Sequence, residues 1–182
     1  MLAGPESALR RRGQDRHGLG VIDIRELTAE DWPIWRELRL AALAEAPSAF
    51  GSRLVDWQHA PEIRWRERLS IPGSYNLVAN LDGRPAGMAS GISAEDDPDA
   101  IELISMWVSP AARGQQVGDR LVTAVVDRAR DRGASRVVLA VAADNPAATA
   151  LYHRNGFQDT DEPPRPMPDG ARCELVMVKP LT

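Results

Sequence analysis

A single mixed α/β domain is the fold class this sequence predicts, and three features predict it. Apolar residues alternate with polar ones in some segments and recur at helical spacing in others. The segments follow one another as strand, helices, hairpin, strand, helix, strand, helix and closing strand or strands. No internal repeat or low-complexity linker divides the 182 residues, a length that one hydrophobic core accommodates.

Each element has its own signal. VIDIREL, from Val21, alternates like a half-buried strand. Thr28 then caps a helix, with Asp31 three residues on as a short form of the capping box. Trp35, Leu38 and Ala42 fall on one face of that helix, joined by Ile34 and Ala41, and APSAFGS, from Ala46, breaks it. A second, more polar helix is expected over Glu62–Leu69. Tyr75–Ile92 predicts two strands joined at Leu81-Asp82-Gly83-Arg84, where Asp-Gly is a hairpin signal. EDDPD, Glu95–Asp99, is expected as a solvated turn before the strand Ile101–Val108.

Val117, Leu121, Val122, Val125, Val126 and Ala129 share one face of the next helix, which Gly133 stops. RVVLAVA, Arg136–Ala142, is apolar on both faces, the pattern of a central parallel strand. Asn145 and Pro146 open another helix as N-cap and first-turn proline, and Gly156 closes it. DEPPRPMPDG predicts a proline-rich loop ahead of a last strand around Cys173–Val178.

Composition narrows the function. The formal net charge of -4 argues against nucleic acid as the main partner. Cys173 is the single cysteine, and His17, His59 and His153 are scattered, so no metal-ligand spacing exists and no metal is expected. No apolar run reaches the length of a membrane span, so no membrane partner is expected either. Residues 1–20 carry a basic RRR with no apolar stretch behind it, unlike a secretory signal. They read as a mobile arm, tag-like or mis-started in origin, ahead of one domain over 21–182. The cytoplasm is the default compartment, and a homodimer is open.

The stretch PAARGQQVGDRLV, Pro110–Val122, follows directly on the apolar run IELISMWV. A strand, a glycine-bearing turn and a helix start in that order expose backbone N–H groups to an anion. The dinucleotide fingerprint GxGxxG is absent, and so is the phosphate loop GxxxxGK[ST], so both common nucleotide readings fail.

MWVSPAARGQQVG, Met106–Gly118, together with NPAATALYHRNGF, Asn145–Phe157, resembles the GNAT superfamily of acyl-CoA N-acyltransferases. The resemblance runs from about Val21 to Val178. It implies a mostly antiparallel central sheet splayed between its fourth and fifth strands and flanked by helices. It also implies acetyl-CoA as cosubstrate and a primary amine as acceptor. Its loop pattern [Q/R]-x-x-G-x-[G/A] is met at Arg113 and Gly118, whereas Gln116 stands where the middle glycine belongs.

By that resemblance the amides of Arg113, Gly114, Gln115, Gln116, Val117 and Gly118 hold the pyrophosphate, with Asp119 beside them. Arg113 is expected to add charge to the anion site, and Gln116 still offers its N–H if its backbone keeps φ below zero. Met106, Trp107 and Val108 offer their backbone to the pantetheine arm, and Asn145 and Ala148 contact it. Tyr152 protonates the leaving thiolate, and Glu102, facing the same way as Ile104 and Met106, serves as general base. Plainer readings stand beside these: a simple helix start, an N-cap, a buried tyrosine with a satisfied hydroxyl, a solvated carboxylate. Phe50, Trp57 and His59 are candidates for the acceptor wall, with packing the expected role of Phe50. The rival from another class is a non-catalytic acyl-CoA-binding regulator or sensor. Transfer to protein lysines or N-termini is a further reading, which an open groove would favour.

Overall fold

In the computed structural model, which describes residues 20–182, the chain forms one eight-stranded sheet with helices on both faces. The chain enters through β1 (Ile22–Glu26) and a short 3-10 turn at Ala29–Asp31, where the Thr28 N–H donates to the Asp31 carboxylate at 2.8 Å. Helix α1 (Trp32–Glu45), a four-residue α2 (Leu54–Trp57) and α3 (Glu62–Leu69) precede β2 (Tyr75–Leu81). After β3 (Arg84–Ala94) and β4 (Asp97–Val108) come α4 (Val117–Asp131), β5 (Arg136–Ala142) and α5 (Pro146–Arg154). Two short strands, β6 (Gln158–Asp159) and β7 (Arg165–Pro166), and the long β8 (Cys173–Pro180) complete it. The order across the sheet is β1-β2-β3-β4-β5-β8-β6, with β7 also on β8.

Every pairing is antiparallel except β4 with β5. Asp82 and Gly83 take left-handed conformations, φ 51° and 79°, as a tight hairpin turn requires. The turn between β3 and β4 is shorter than expected, because Asp97–Asp99 already belong to β4.

One core lies between the sheet and α4, the other between the sheet and α1 with α3. The six residues expected on one face of α4 are all buried. On α1, Trp35, Leu38 and Ala42 are buried as their spacing demands, but Leu43 rather than Ala41 joins them. The expectation that β5 is a central parallel strand, apolar on both faces, is corrected. It is parallel to β4 over three residues and antiparallel to β8 along its whole length, and its other face leaves Arg136 and Ala140 exposed. The proline-rich loop contributes Arg165–Pro166 as a two-residue strand antiparallel to Cys173–Glu174.

Candidate active site

The sheet splits where β4 leaves β5. Their parallel ladder holds only Ala100–Glu102 against Arg136–Val138, and beyond it the two strands diverge. A bulge accompanies the split: Met88 faces Trp107 and Ser90 faces Ile104, so two β4 residues oppose one on β3. Ser105 carries the bulge at φ 54°. An extra residue reverses which way later side chains point. Ile101 and Leu103 face α4 before the bulge, Met106 and Val108 pack on that same core after it, and Trp107 joins the core of α1. Glu102 and Ile104 therefore share a face, and the expectation that Met106 shares it is corrected.

The loop after β4 is shaped for an anion. Gly114 and Gln116 both adopt left-handed conformations, φ 76° and 66°, with Gln116 at the N-cap of α4. Gln116 therefore does not keep φ below zero: standing where the loop pattern has glycine, it adopts a glycine-like backbone. Among the described residues, none of the backbone N–H groups of Gly114, Gln115, Gln116, Val117 and Gly118 donates to a protein acceptor. Unpaired N–H groups at a 15-residue helix start, reinforced by its dipole, form an anion cradle. The Gln116 side chain is exposed and makes no hydrogen bond there. Gln116→Gly should accordingly stabilise the fold by about 1 kcal/mol, the typical cost of a left-handed non-glycine residue. Urea unfolding checks this, with an unchanged midpoint as the contrary result.

Arg113 is held by protein partners on the cavity wall. Its Nη2 lies 2.7 Å from Glu45 Oε2 and its Nε donates to the Val108 carbonyl at 3.1 Å, while Trp107 Nε1 reaches the same Glu45 oxygen at 2.9 Å. These contacts tie the loop to the end of α1 and hold the Glu45 carboxyl below its ordinary range, Arg113 contributing most. The Gln115 side chain turns back to the Ala111 carbonyl at 3.0 Å. The Asp119 carboxylate is occupied by Arg154, at 2.7 and 2.9 Å, and by Asn155 at 2.8 Å, which fastens α4 to α5.

The loop opens onto a cavity of about 810 Å³ between the split strands. Met106, Trp107, Val108, Arg113, Gly114, Gln116, Val117, Gly118, Asp119, Asn145, Ala148 and Tyr152 line it, so the structure gathers nearly every expected cofactor residue around one space. Gln115 and Glu102 do not line it. The sequence reading missed Leu151 and Ala147, on the same helix as Tyr152 and Ala148, which their neighbours could have signalled. Asn145 Oδ1 accepts the Ala148 N–H at 3.1 Å, so the cap uses its oxygen and leaves its NH₂ for another acceptor.

Tyr152 is buried in α5, edge-on to Phe157 with ring centroids 5.8 Å apart. Burial pushes its phenol well above the ordinary value, so it stays a neutral donor. Glu102, half-buried on the last rung of the β4–β5 ladder, has its carboxyl raised by burial and then by the nearby Glu174. Phe50 lines the large cavity, Trp57 lies 4.8 Å from the Trp65 ring centroid, and His59 is exposed and lines neither described cavity. No group of three or more potential metal ligands occurs among the described residues.

Residues 23–157 match the family model described as Acetyltransferase (GNAT) family. A diaminobutyric acid relative, the L-2,4-diaminobutyric acid acetyltransferase of Nocardia farcinica, is 32% identical over 97 residues, covering 51% of this chain and 50% of that protein. The IAA acetyltransferase of Azospirillum brasilense is 33% identical over 117 residues, 63% of this chain and 73% of that protein. The chain spans about half the length of the first of these curated relatives. Among solved structures, yncA of Salmonella typhimurium with acetyl-CoA superposes with a TM-score of 0.72 at 26% identity, over 89% of this chain and 95% of that one. The ribosomal-protein-alanine N-acetyltransferase of Brucella melitensis gives 0.72 at 27%, over 87% and 99%. The matched segment contains both the amide cradle and the helix of Tyr152, and the chain belongs to the GNAT acetyltransferase family.

Proposed function

We propose that this protein transfers an acetyl group from acetyl-CoA to a primary amine, by direct attack of the amine on the thioester through a tetrahedral intermediate. The observation that carries the reading is the row of unpartnered N–H groups at Gly114–Gly118, opening onto the same cavity that Tyr152 lines. The names of the relatives, which describe acetyl transfer to a diamino acid and to a ribosomal-protein alanine, point to amine acceptors.

Acetyl-CoA, when bound, supplies the activated acetyl group. In our reading the cradle holds its pyrophosphate, the unpaired edge of β4 at Met106–Val108 lies along the pantetheine arm, and the Asn145 NH₂ contacts that arm. The amine forms the new N–C bond to give the tetrahedral intermediate, and collapse of that intermediate breaks the C–S bond. Tyr152 gives the thiolate its proton, which a neutral phenol can do, and the amine surrenders its own to a base. Glu102 lies off the cavity wall and would act through a water. No described helix is long and apolar enough to cross a membrane.

Incubation with acetyl-CoA and a panel of primary amines, following free thiol, tests the activity. Amine-dependent thiol release is expected; acetyl-CoA binding without any release would leave the chain a non-catalytic CoA-binding module. Glu102→Gln tests the base. A carboxyl raised by burial must lose its proton to act, so the wild-type rate should fall on the acid side at a pH above the ordinary carboxylate range. The variant should lose that limb and recover partly at high pH, where free amine is abundant. An unchanged profile would remove Glu102 from the reaction.

A further inference from the structure

A second, smaller cavity of about 120 Å³ lies on the other side of the β4 bulge, lined by Trp35, Arg39, Trp57, Trp65, Arg68 and Ser105 among others. Its content of charge is unusual. Both arginines are mostly withdrawn from water, yet among the described residues neither forms an ion pair with any carboxylate. The Arg39 Nη1 atom is buried and has no hydrogen-bond partner. Nor has Nε1 of Trp35, a residue only 1% exposed. Burial, followed by repulsion from Arg68, lowers the Arg39 guanidinium to about 10.

Arg68 is better satisfied, but only by neutral groups: Asn76 Oδ1 at 2.9 Å, Ser90 Oγ at 3.2 Å and Ser105 Oγ at 3.3 Å. Its guanidinium lies 5.2 Å from the Trp35 ring centroid, and that of Arg39 lies 4.7 Å from the Phe50 ring centroid. Two desolvated cations side by side repel one another, and unpaired buried donors are costly. An anion between them relieves both. Planar guanidinium groups suit a carboxylate in particular.

The position ties this cavity to the reaction. Ser105 lines the small cavity, while Met106, the next residue, lines the large one; Phe50, under Arg39, lines the large one too. An anion held at the arginines is therefore one residue along β4 from the wall of the acetyl-CoA site. We propose that the acceptor is an amine that also carries a carboxylate, an amino acid in chemical class, whose carboxylate docks between Arg39 and Arg68 with the Trp35 N–H beside them. This inference rests on the N-acetyltransferase reading.

The test compares acceptors that differ only in that group: the L-amino acids, including basic diamino acids, each beside its carboxamide and its decarboxylated amine. Thiol release and thermal protection are both read, with sodium chloride at equal ionic strength as reference. At least one amino acid should be preferred over its carboxamide by about 10²-fold or more in kcat/KM, because rejecting an analogue leaves buried donors unpaired. The same amino acid should protect the fold where its carboxamide does not. In Arg39→Met the preference should collapse towards one, and the melting temperature without ligand should hold or rise, since an uncompensated buried charge is gone. A merely structural Arg39 would instead lower it.

Equal use of acids and carboxamides would overturn the carboxylate site while leaving acetyl transfer intact. So would protection by inorganic phosphate alone, which would assign the arginines to a free anion. Absence of thiol release with every amine, and of protection by every amino acid, would overturn both readings. The wild-type comparison stands by itself should the variant fail to fold.

Discussion

Tyr152→Phe should lower the turnover number by about 10²–10⁴-fold, the usual contribution of a positioned general acid. The substitution keeps the buried ring, its edge-on contact with Phe157 and the packing of α5, so the fold should survive. No hydrogen bond of the tyrosine hydroxyl is made to the described residues, so the removed oxygen leaves no protein group unpaired. Acetyl-CoA affinity should be nearly unchanged, because in the proposed mechanism the phenol acts only as the thiolate leaves. Burial raises the phenol, and a raised acid is protonated over a wider range of pH. The loss should therefore be the same at every pH where the fold is intact. Steady-state kinetics across pH check this; a fall confined to the Michaelis constant for acetyl-CoA would make Tyr152 a wall of the pocket instead.

Gly118→Val should raise the Michaelis constant for acetyl-CoA by roughly 10- to 10²-fold, the loss of one or so charge-assisted hydrogen bonds. A Cβ at this position would stand 3.3 Å from Leu151 Cδ2, 3.4 Å from Leu151 Cδ1 and 3.6 Å from Met106 Cε, all on cavity-lining residues. The branched side chain must move the cavity wall or intrude on the space before the amides. Helix propensity slightly favours valine over glycine, so stability gives no reason for a general loss of activity. The constant for the amine should stay close to that of the wild type. Equal increases in both constants would show that the substitution disturbs the whole cleft rather than the cofactor side.

Legibility in the sequence followed the range of the interaction. The buried face of α4 was readable because its six apolar residues repeat at the helical period and meet one sheet surface. Thr28 with Asp31, Asp82 with Gly83 and Asn145 with Pro146 were readable because caps and turns are local chemistry. The motifs around Gly118 and Tyr152 marked two elements, and the structure brings both to one cavity.

What escaped depended on distant partners. Nothing near Ser105 announces a left-handed serine; the bulge follows from fitting β4 to β3, and it reverses where Met106 points. Nothing near Arg113 in the sequence announces its ion pair with Glu45, which the fold brings beside it. No local pattern marks Arg39 or Arg68 for burial, and only the packing of α1, α3 and β4 encloses them.

The central claim is that the backbone at Gly114–Gly118 receives the pyrophosphate, and backbone amide NMR during a titration with acetyl-CoA tests it most directly. The amide protons of these residues should move downfield, further than those elsewhere on α4, and desulfo-CoA should reproduce the shifts. ATP and NAD, titrated in parallel, should bind far more weakly. Saturable acetyl-CoA binding that leaves these amides unmoved, or shifts of equal size with ATP and NAD, would contradict the account.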